Sequence, residues 1–262
     1  MKKLTALSLL FAASLFYMTV SAQSISRKVI ASAGGTLTSA TGSINYTIGE
    51  TMIASLSVGS NMITQGFEQP AESGLNLKLY LQGYYIDGGI MQPVLMNQGL
   101  AALPTEADTI VVELHHADNF ALLDSKKAVL LTDGTVSVNF TQPEGTYYIA
   151  IKHRNTIQTW SANPVDCTVS TTEYNFTAAQ NKAFGDNQVE VQTGKWAFYT
   201  GDLNQDDFID GNDFPAFDSD SFNGVAQVYV ATDMNGDGFV DGNDFPVFDV
   251  NSFNGVSAVY PQ

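Results

Sequence analysis

Residues 201–224, GDLNQDDFIDGNDFPAFDSDSFNG, return at 232–255 as TDMNGDGFVDGNDFPVFDVNSFNG, at a constant offset of 31 residues. Tyr229 and Tyr260 keep the same offset. Such a duplication implies one supersecondary unit built twice, with each copy covering apolar surface that the other cannot bury alone. From residue 201 to the end there are twelve aspartates and no glutamate, lysine or arginine. So abrupt a change of composition predicts a domain boundary near Thr200.

Within each copy, oxygen-bearing groups fall at positions 1, 3, 5, 7, 9 and 12 of a twelve-residue loop. In the first loop these are Asp202, Asn204, Asp206, the Phe208 carbonyl, Asp210 and Asp213. In the second they are Asp233, Asn235, Asp237, the Phe239 carbonyl, Asp241 and Asp244. A hard cation with a flexible shell of oxygen ligands suits this spacing, and the expectation is two calcium ions. Zinc and copper are disfavoured because neither loop contains His or Cys. Without metal the carboxylates of each loop repel one another, which couples folding to binding.

Other positions in the loops carry conformational information. Gly238, at position 6 of the second loop, meets a backbone that needs positive φ. Asp207 occupies that position in the first loop and tolerates it with strain. Apolar Ile209 and Val240 at position 8 are expected to meet back to back on a short β contact. Asn212, Asn243 or the neighbouring aspartates are expected to cap short helices. Pro215 and Pro246 fit in the first turn of those helices, and each Phe-Asn-Gly is a natural stop.

Upstream the pattern is short β-runs. Ile44, Tyr46 and Ile48 alternate, as do Leu75, Leu77, Leu79 and Leu81. TIVVEL at 109–114, TVSVNF at 135–140, TYYIAIKH at 146–153 and KWAFYT at 195–200 continue the series, punctuated by Asp133-Gly134 and Glu144-Gly145. Period two between turn signals reads as antiparallel β. The expected fold class is mainly β: an antiparallel sandwich, Ig-like or jelly-roll-like, followed by a small α domain carrying the calcium loops. One helical turn is expected within 178–184.

Lys2 and Lys3, the apolar stretch 4–20 and Val20-Ser21-Ala22 read as a secretory signal peptide over 1–22, with a one-pass membrane anchor as the competing reading. Its removal leaves nine basic against twenty-seven acidic residues. That balance repels nucleic acid and anionic membranes and favours cations, and no second membrane-length segment follows. The expected plan is the signal peptide at 1–22, a Gly/Ser/Thr-rich β segment at 23–72, the sandwich at 73–200 and the tandem module at 201–262. Cys167 is the lone cysteine, so no internal disulfide braces the chain.

Three other groups invite functional readings. His115-His116 with Asp118 suggests a metal or acid–base pair, but adjacent strand side chains point to opposite faces, and an ordinary strand-end turn is the competing reading. Trp160 could stack a glycan, with Arg154 or Asn155 supplying hydrogen bonds, or it could belong to the core with Arg154 capping a hairpin. Tyr84-Tyr85-Ile86-Asp87 stands in the same position.

Gly201-Asp202-Leu203-Asn204-Gln205-Asp206 and Asp233-Met234-Asn235-Gly236-Asp237-Gly238, closed by Asp213 and Asp244, resemble type I dockerins. That resemblance covers roughly 200–262 and implies paired loop–helix calcium motifs and docking onto a cohesin-like or other surface protein. GGTLTSATGSINYTIGE, TQGFEQP, LKLYLQGYY and GTYYIAIKHRNTIQTWSANPV resemble secreted proteins of the Bacteroidota, which implies an extracellular or cell-surface location. The leading expectation is a secreted, calcium-binding, non-catalytic protein used for attachment or docking. Two alternatives stand beside it: a carbohydrate-binding module that recognises polysaccharide, and an accessory protein of extracellular glycoside or polysaccharide hydrolases.

Overall fold

A computed structural model of the chain describes residues 35–39, 42–46, 55–58, 61–64, 73–100, 102–141, 144–167 and 171–262. The expected signal peptide and most of the 23–72 segment lie outside the described residues. The chain forms two units, Met1–Glu68 and Gln69–Gln262. In the first, β1 (Gly35–Ser39) pairs antiparallel with β2 (Gly42–Tyr46), and β3 (Ser55–Val58) with β4 (Asn61–Thr64).

The second unit runs β5 (Ser73–Lys78), β6 (Tyr85–Asp87), β7 (Ile90–Met91), α1 (Val94–Asn97), β8 (Glu106–His116), β9 (Leu122–Leu131), β10 (Thr135–Phe140), β11 (Thr146–His153), β12 (Thr156–Trp160), β13 (Val165–Asp166), β14 (Thr171–Asn175), β15 (Val189–Gln192), β16 (Lys195–Ala197), α2 (Phe214–Phe222) and α3 (Phe245–Phe253). Its body is sandwich-like. One sheet has the order β10-β5-β14, and the other has β12-β11-β8-β9 with β13 added to β11. Period-two alternation turns Leu75, Leu77, Val136, Val138 and Phe140 of the first sheet toward Ile110, Val112, Leu114, Ile149 and Ile151 of the second, all within one buried cluster. Burial of each such side chain stabilises the fold by about 1.5–3 kcal/mol.

The mainly β sandwich with two C-terminal helices agrees with the expected fold class. Three details differ. β14 lies parallel to β5, so the three-stranded sheet is mixed. β9 and β12 were hidden in sequence, β9 because Asp124, Lys126 and Lys127 interrupt its apolar pattern at the edge of the sheet. The turn expected within 178–184 is three 3-10 turns, Phe176–Ala178, Gln180–Lys182 and Phe184–Asp186.

The repeats pack around a second core of Ile209, Phe217, Met234, Val240 and Phe248, into which Ile157 of the body also inserts. The aromatic rings cross-stack, Phe214 on Phe248 at 6.3 Å and Phe217 on Phe245 at 5.9 Å between centroids. Ile209 and Val240 do not meet through a loop-to-loop strand pair. Ile209 N donates to Val256 O at 2.8 Å, and Val240 N donates to Val225 O at 2.9 Å. Each loop therefore pairs with the stretch that follows the other copy's helix. Among the described residues, no helix is long and apolar enough to cross a membrane.

Candidate functional site

The two loops close by the same backbone logic. Positions 4 and 6 carry positive φ in both copies: Gln205 at 60° and Asp207 at 72°, Gly236 at 75° and Gly238 at 94°. The residue types differ because each loop meets a different part of the body. A Cβ on Gly238 would lie 2.4 Å from the Asn97 carbonyl oxygen, and one on Gly236 would lie 2.4 Å from Val94 Cγ2. The first loop has room, and Asp207 uses it. Both its carboxylate oxygens accept from Gln158 Nε2 at 2.9 Å, and Tyr260 Oη donates to it at 3.3 Å.

The carboxylates proposed as cation ligands are turned into the loop backbone. Asp213 accepts from the amides of Leu203, Asn204 and Asp210 at 2.7, 3.0 and 2.9 Å. Asp244 accepts from Asn235 and Asp241, each at 2.9 Å. Asp202 accepts from Asp206 and Asp207 at 3.2 and 3.3 Å, and Asp233 from Gly236 and Gly238 at 2.8 and 2.9 Å. At the rim, Asn204, Asp206 and Asp210 accept from the amides of Asp206, Phe208 and Asn212. Asn235, Asp237 and Asp241 repeat this with Asp237, Phe239 and Asn243.

Among the described residues, no group of three or more His, Cys, Asp or Glu side chains is arranged to hold a metal ion. The expectation of two calcium ions is therefore overturned. The spacing that resembles a ligand set serves here to terminate loop amides, with aspartate oxygens facing N–H donors. Burial raises the Asp202 carboxyl to about 7, helped by the neighbouring charge of Asp213. Burial also raises Asp244 to about 7 and Asp233 above its usual value, against the opposing pull of their donors.

The aspartates do not cap the helices either. Asp213 and Asp244 occupy the N-cap positions in right-handed helical conformation and make no side-chain cap bond, their oxygens being committed to the loop. Pro215 and Pro246 sit in the first turn as expected. At the other end, Gly224 N bonds Ser221 O and Val225 N bonds Asp220 O. Gly255 with Ser252 and Val256 with Asn251 repeat the pattern. These are Schellman stops, with Gly224 and Gly255 at φ 61° and 62°.

Each helix buries one ring and displays another. Phe217 and Phe248 are buried, whereas Phe222 and Phe253 are each 90 % exposed. Asp218 and Asp249, also exposed, lie four residues earlier on the same helix faces. Phe208 and Phe239 at loop position 7 are likewise exposed.

A buried polar joint fastens the repeats to the body. The two-residue turn between β11 and β12 places Arg154 and Asn155 at its centre. Arg154 Nε and Nη2 lie 3.0 and 2.9 Å from Asp108 Oδ2, and Nη2 also donates to Tyr84 Oη at 2.7 Å and Gln98 Oε1 at 3.0 Å. Gln98 passes the chain on to Asp233 Oδ2 at 2.7 Å. Tyr229 Oη donates to Asp108 Oδ1 at 2.8 Å, and Arg154 stacks 4.3 Å above the Tyr229 ring. His153 Nε2 is 3.1 Å from Asp108 Oδ2, while its Nδ1 has no hydrogen-bond partner among the described residues. Burial opposes ionisation of Asp108, yet the His153 bond, the Arg154 charge and Tyr229 hold it well below the usual carboxylate range. Burial depresses the His153 imidazole. Asn251 anchors the second helix, donating to Gln82 Oε1 and Thr200 O at 2.7 Å each.

The remaining readings resolve as packing. Trp160 is 5 % exposed, stacked by Tyr260 at 5.9 Å and 4.2 Å from His115, so it offers no glycan platform. Tyr84 is fully buried in the joint, whereas Tyr85 is half-buried and Ile86 and Asp87 are exposed. His115 spends both ring nitrogens, on the Phe120 carbonyl and on Glu113, while His116 faces Asp118 at the surface. Cys167 is buried. Sequence reasoning missed Asp108, Gln98 and Tyr229, whose partners lie on distant segments.

Comparison with protein-family models and with curated proteins gives no match. Solved structures do match in part. One chain comes from a type II cohesin–X–dockerin complex of Acetivibrio cellulolyticus carrying an N-terminal interface mutation. It is 17 % identical, has a TM-score of 0.44 and covers 72 % of this chain and 99 % of its own. A chain from the corresponding C-terminal interface mutant is 16 % identical with a TM-score of 0.42, at the same coverage. The present chain is thus weakly similar in structure to chains of a cohesin–dockerin complex, a likeness too distant to carry a functional conclusion.

Proposed function

We propose that this chain is a non-catalytic docking protein whose tandem repeats act as a dockerin-like attachment module outside the cell or on its surface. The observation that carries this reading is the matched display of Phe222 and Phe253, each 90 % exposed at the end of a helix anchored by a single buried ring. Large apolar rings held out in duplicate mark interaction surfaces rather than core. Asp218 and Asp249 stand one turn away from them. The complementary partner is a protein surface with an apolar pocket for the ring and a Lys or Arg beside it. The basic n-region, apolar stretch and small-residue cut of the first 22 residues support export.

The test is photo-crosslinking of the full exported chain to proteins of its own cell envelope and medium, with the probe placed at Asn223 and at Asn254. A partner captured by the wild type and lost in Phe222→Asp/Phe253→Asp supports docking. Equal capture by the double variant, with its fold intact by circular dichroism, defeats it.

A further inference from the structure

After residue 22 the chain has only nine basic residues against twenty-seven acidic ones. Three of them, Lys127, Lys152 and Arg154, line one groove of about 340 Å³. The groove runs along the outer face of the five-stranded sheet and is bounded on the repeat side by Gln205 and Tyr229. None of the twelve aspartates of the repeats lines it.

Strand register explains the convergence. Val111 on β8 pairs with Lys127 on β9 and with Lys152 on β11. The two lysines therefore stand in one row, on the face that Val111 presents. Neighbouring strands are ~4.8 Å apart, which places their Cα atoms about 10 Å from each other. Flexible four-carbon stems let both ammonium groups reach over the half-buried Val111. Lys152 is steadied by Glu113 at 3.2 Å, and that carboxylate is itself shared with His115 at 3.1 Å. Lys127 is exposed and forms no ion pair among the described residues. Arg154 is committed to Asp108 and Tyr229, so it shapes the inner wall, and Thr109 Oγ1 lies 3.1 Å from Tyr229 Oη at the same end.

We propose that this groove binds a sugar-sized ligand through an oxyanion, a carboxylate or a sulfate ester, held over Val111 between Lys127 and Lys152. Two point-charge donors on flexible stems suit a compact oxyanion. Val111 offers an apolar floor for a sugar ring, and Thr109 and Gln205 offer hydrogen bonds to hydroxyl groups. The volume falls at the small end of small-molecule sites and fits one or two rings rather than a folded partner. The site lies away from the helix faces assigned to docking, and its fate is independent of that reading.

Isothermal titration of the full chain with glucuronate, galactose 6-sulfate, inorganic sulfate and glucose tests this. Glucuronate or galactose 6-sulfate should bind, weaken with added salt and lose at least about tenfold in affinity in Lys127→Gln, as expected for removal of a charge-assisted contact. Lys152→Gln should do the same. Lys126→Gln, on the opposite face of β9 beside Asp124 at 3.7 Å, should leave affinity unchanged. Binding of one sugar and not the other assigns the source of the oxyanion. No heat with either sugar, inorganic sulfate bound as tightly as the sugars (an adventitious ion only), glucose binding as well as they do, or equal weakening by Lys126→Gln overturns the proposal.

Discussion

Gln98 Nε2 donates to Asp233 Oδ2 at 2.7 Å, across 135 residues of sequence. The bond joins a side chain of the sandwich to the first residue of the second loop, and Gln98 Oε1 accepts from Arg154 on its other side. One buried amide thus links the hairpin tip, the body and the repeats.

Removing it should be costly. Gln98→Ala leaves the Asp233 carboxylate and the Arg154 guanidinium each short of a buried partner, and a loss of about 1–3 kcal/mol is expected. Urea unfolding followed by tryptophan fluorescence measures this. A change within about 0.5 kcal/mol, as is usual for surface substitutions, contradicts the joint.

Two glycines of the second loop should respond to alanine to very different degrees. Gly238 has φ 94° and would bring its Cβ to 2.4 Å from the Asn97 carbonyl, whereas Gly242 has open space around its Cβ position. Gly238→Ala should cost upwards of about 2 kcal/mol, from strain and displacement of the loop, and Gly242→Ala less than about 0.5 kcal/mol. Thermal melts of the two variants side by side decide the matter, and equal melting temperatures refute the close approach.

Acid should weaken the joint through His153. Burial holds its folded pKa below the unfolded value near 6.5. The unfolded chain then binds more protons, so the contribution of neutral His153 is complete above pH 6.5 and is lost as pH falls through the folded value. Asp108, also depressed, adds a second loss of the same sign below about pH 3.8. The stability advantage of wild type over His153→Gln should shrink between about pH 7.5 and 5, and nitrogen-detected titration should place the imidazole midpoint below about 6.5. A midpoint above that value would falsify the assignment.

Much of the architecture could be read from one chain, and the reasons are local. Alternating leucines at 75–81 and TVSVNF carry period-two patterns that return as one buried face, and TYYIAIKH returns as a strand whose two faces are both covered. The 31-residue offset exposed the duplication, and positive φ at Asp207 and Gly238 followed from loop position alone. The chemistry of the loops was not legible, because aspartates spaced to surround a cation are equally spaced to receive the amides of a tight loop. Direction of the side chains separates those outcomes, and sequence does not encode it locally. The Asp108 joint and the Lys127–Lys152 row were hidden for another reason. Both depend on which strands become neighbours, and Arg154 lies 46 residues from Asp108.

The exchange of backbone bonds between Ile209 and Val256, and between Val240 and Val225, has an ancestral reading. With Gln227 N bonding Gly238 O and Ala258 N bonding Asp207 O beside them, either copy alone would be left with two donors and two acceptors reaching for a companion. The natural companion is a second identical molecule in the place its twin now holds. The two copies thus complete one another reciprocally, and a chain cut to a single copy is expected to pair with a second molecule at high concentration or not fold at all.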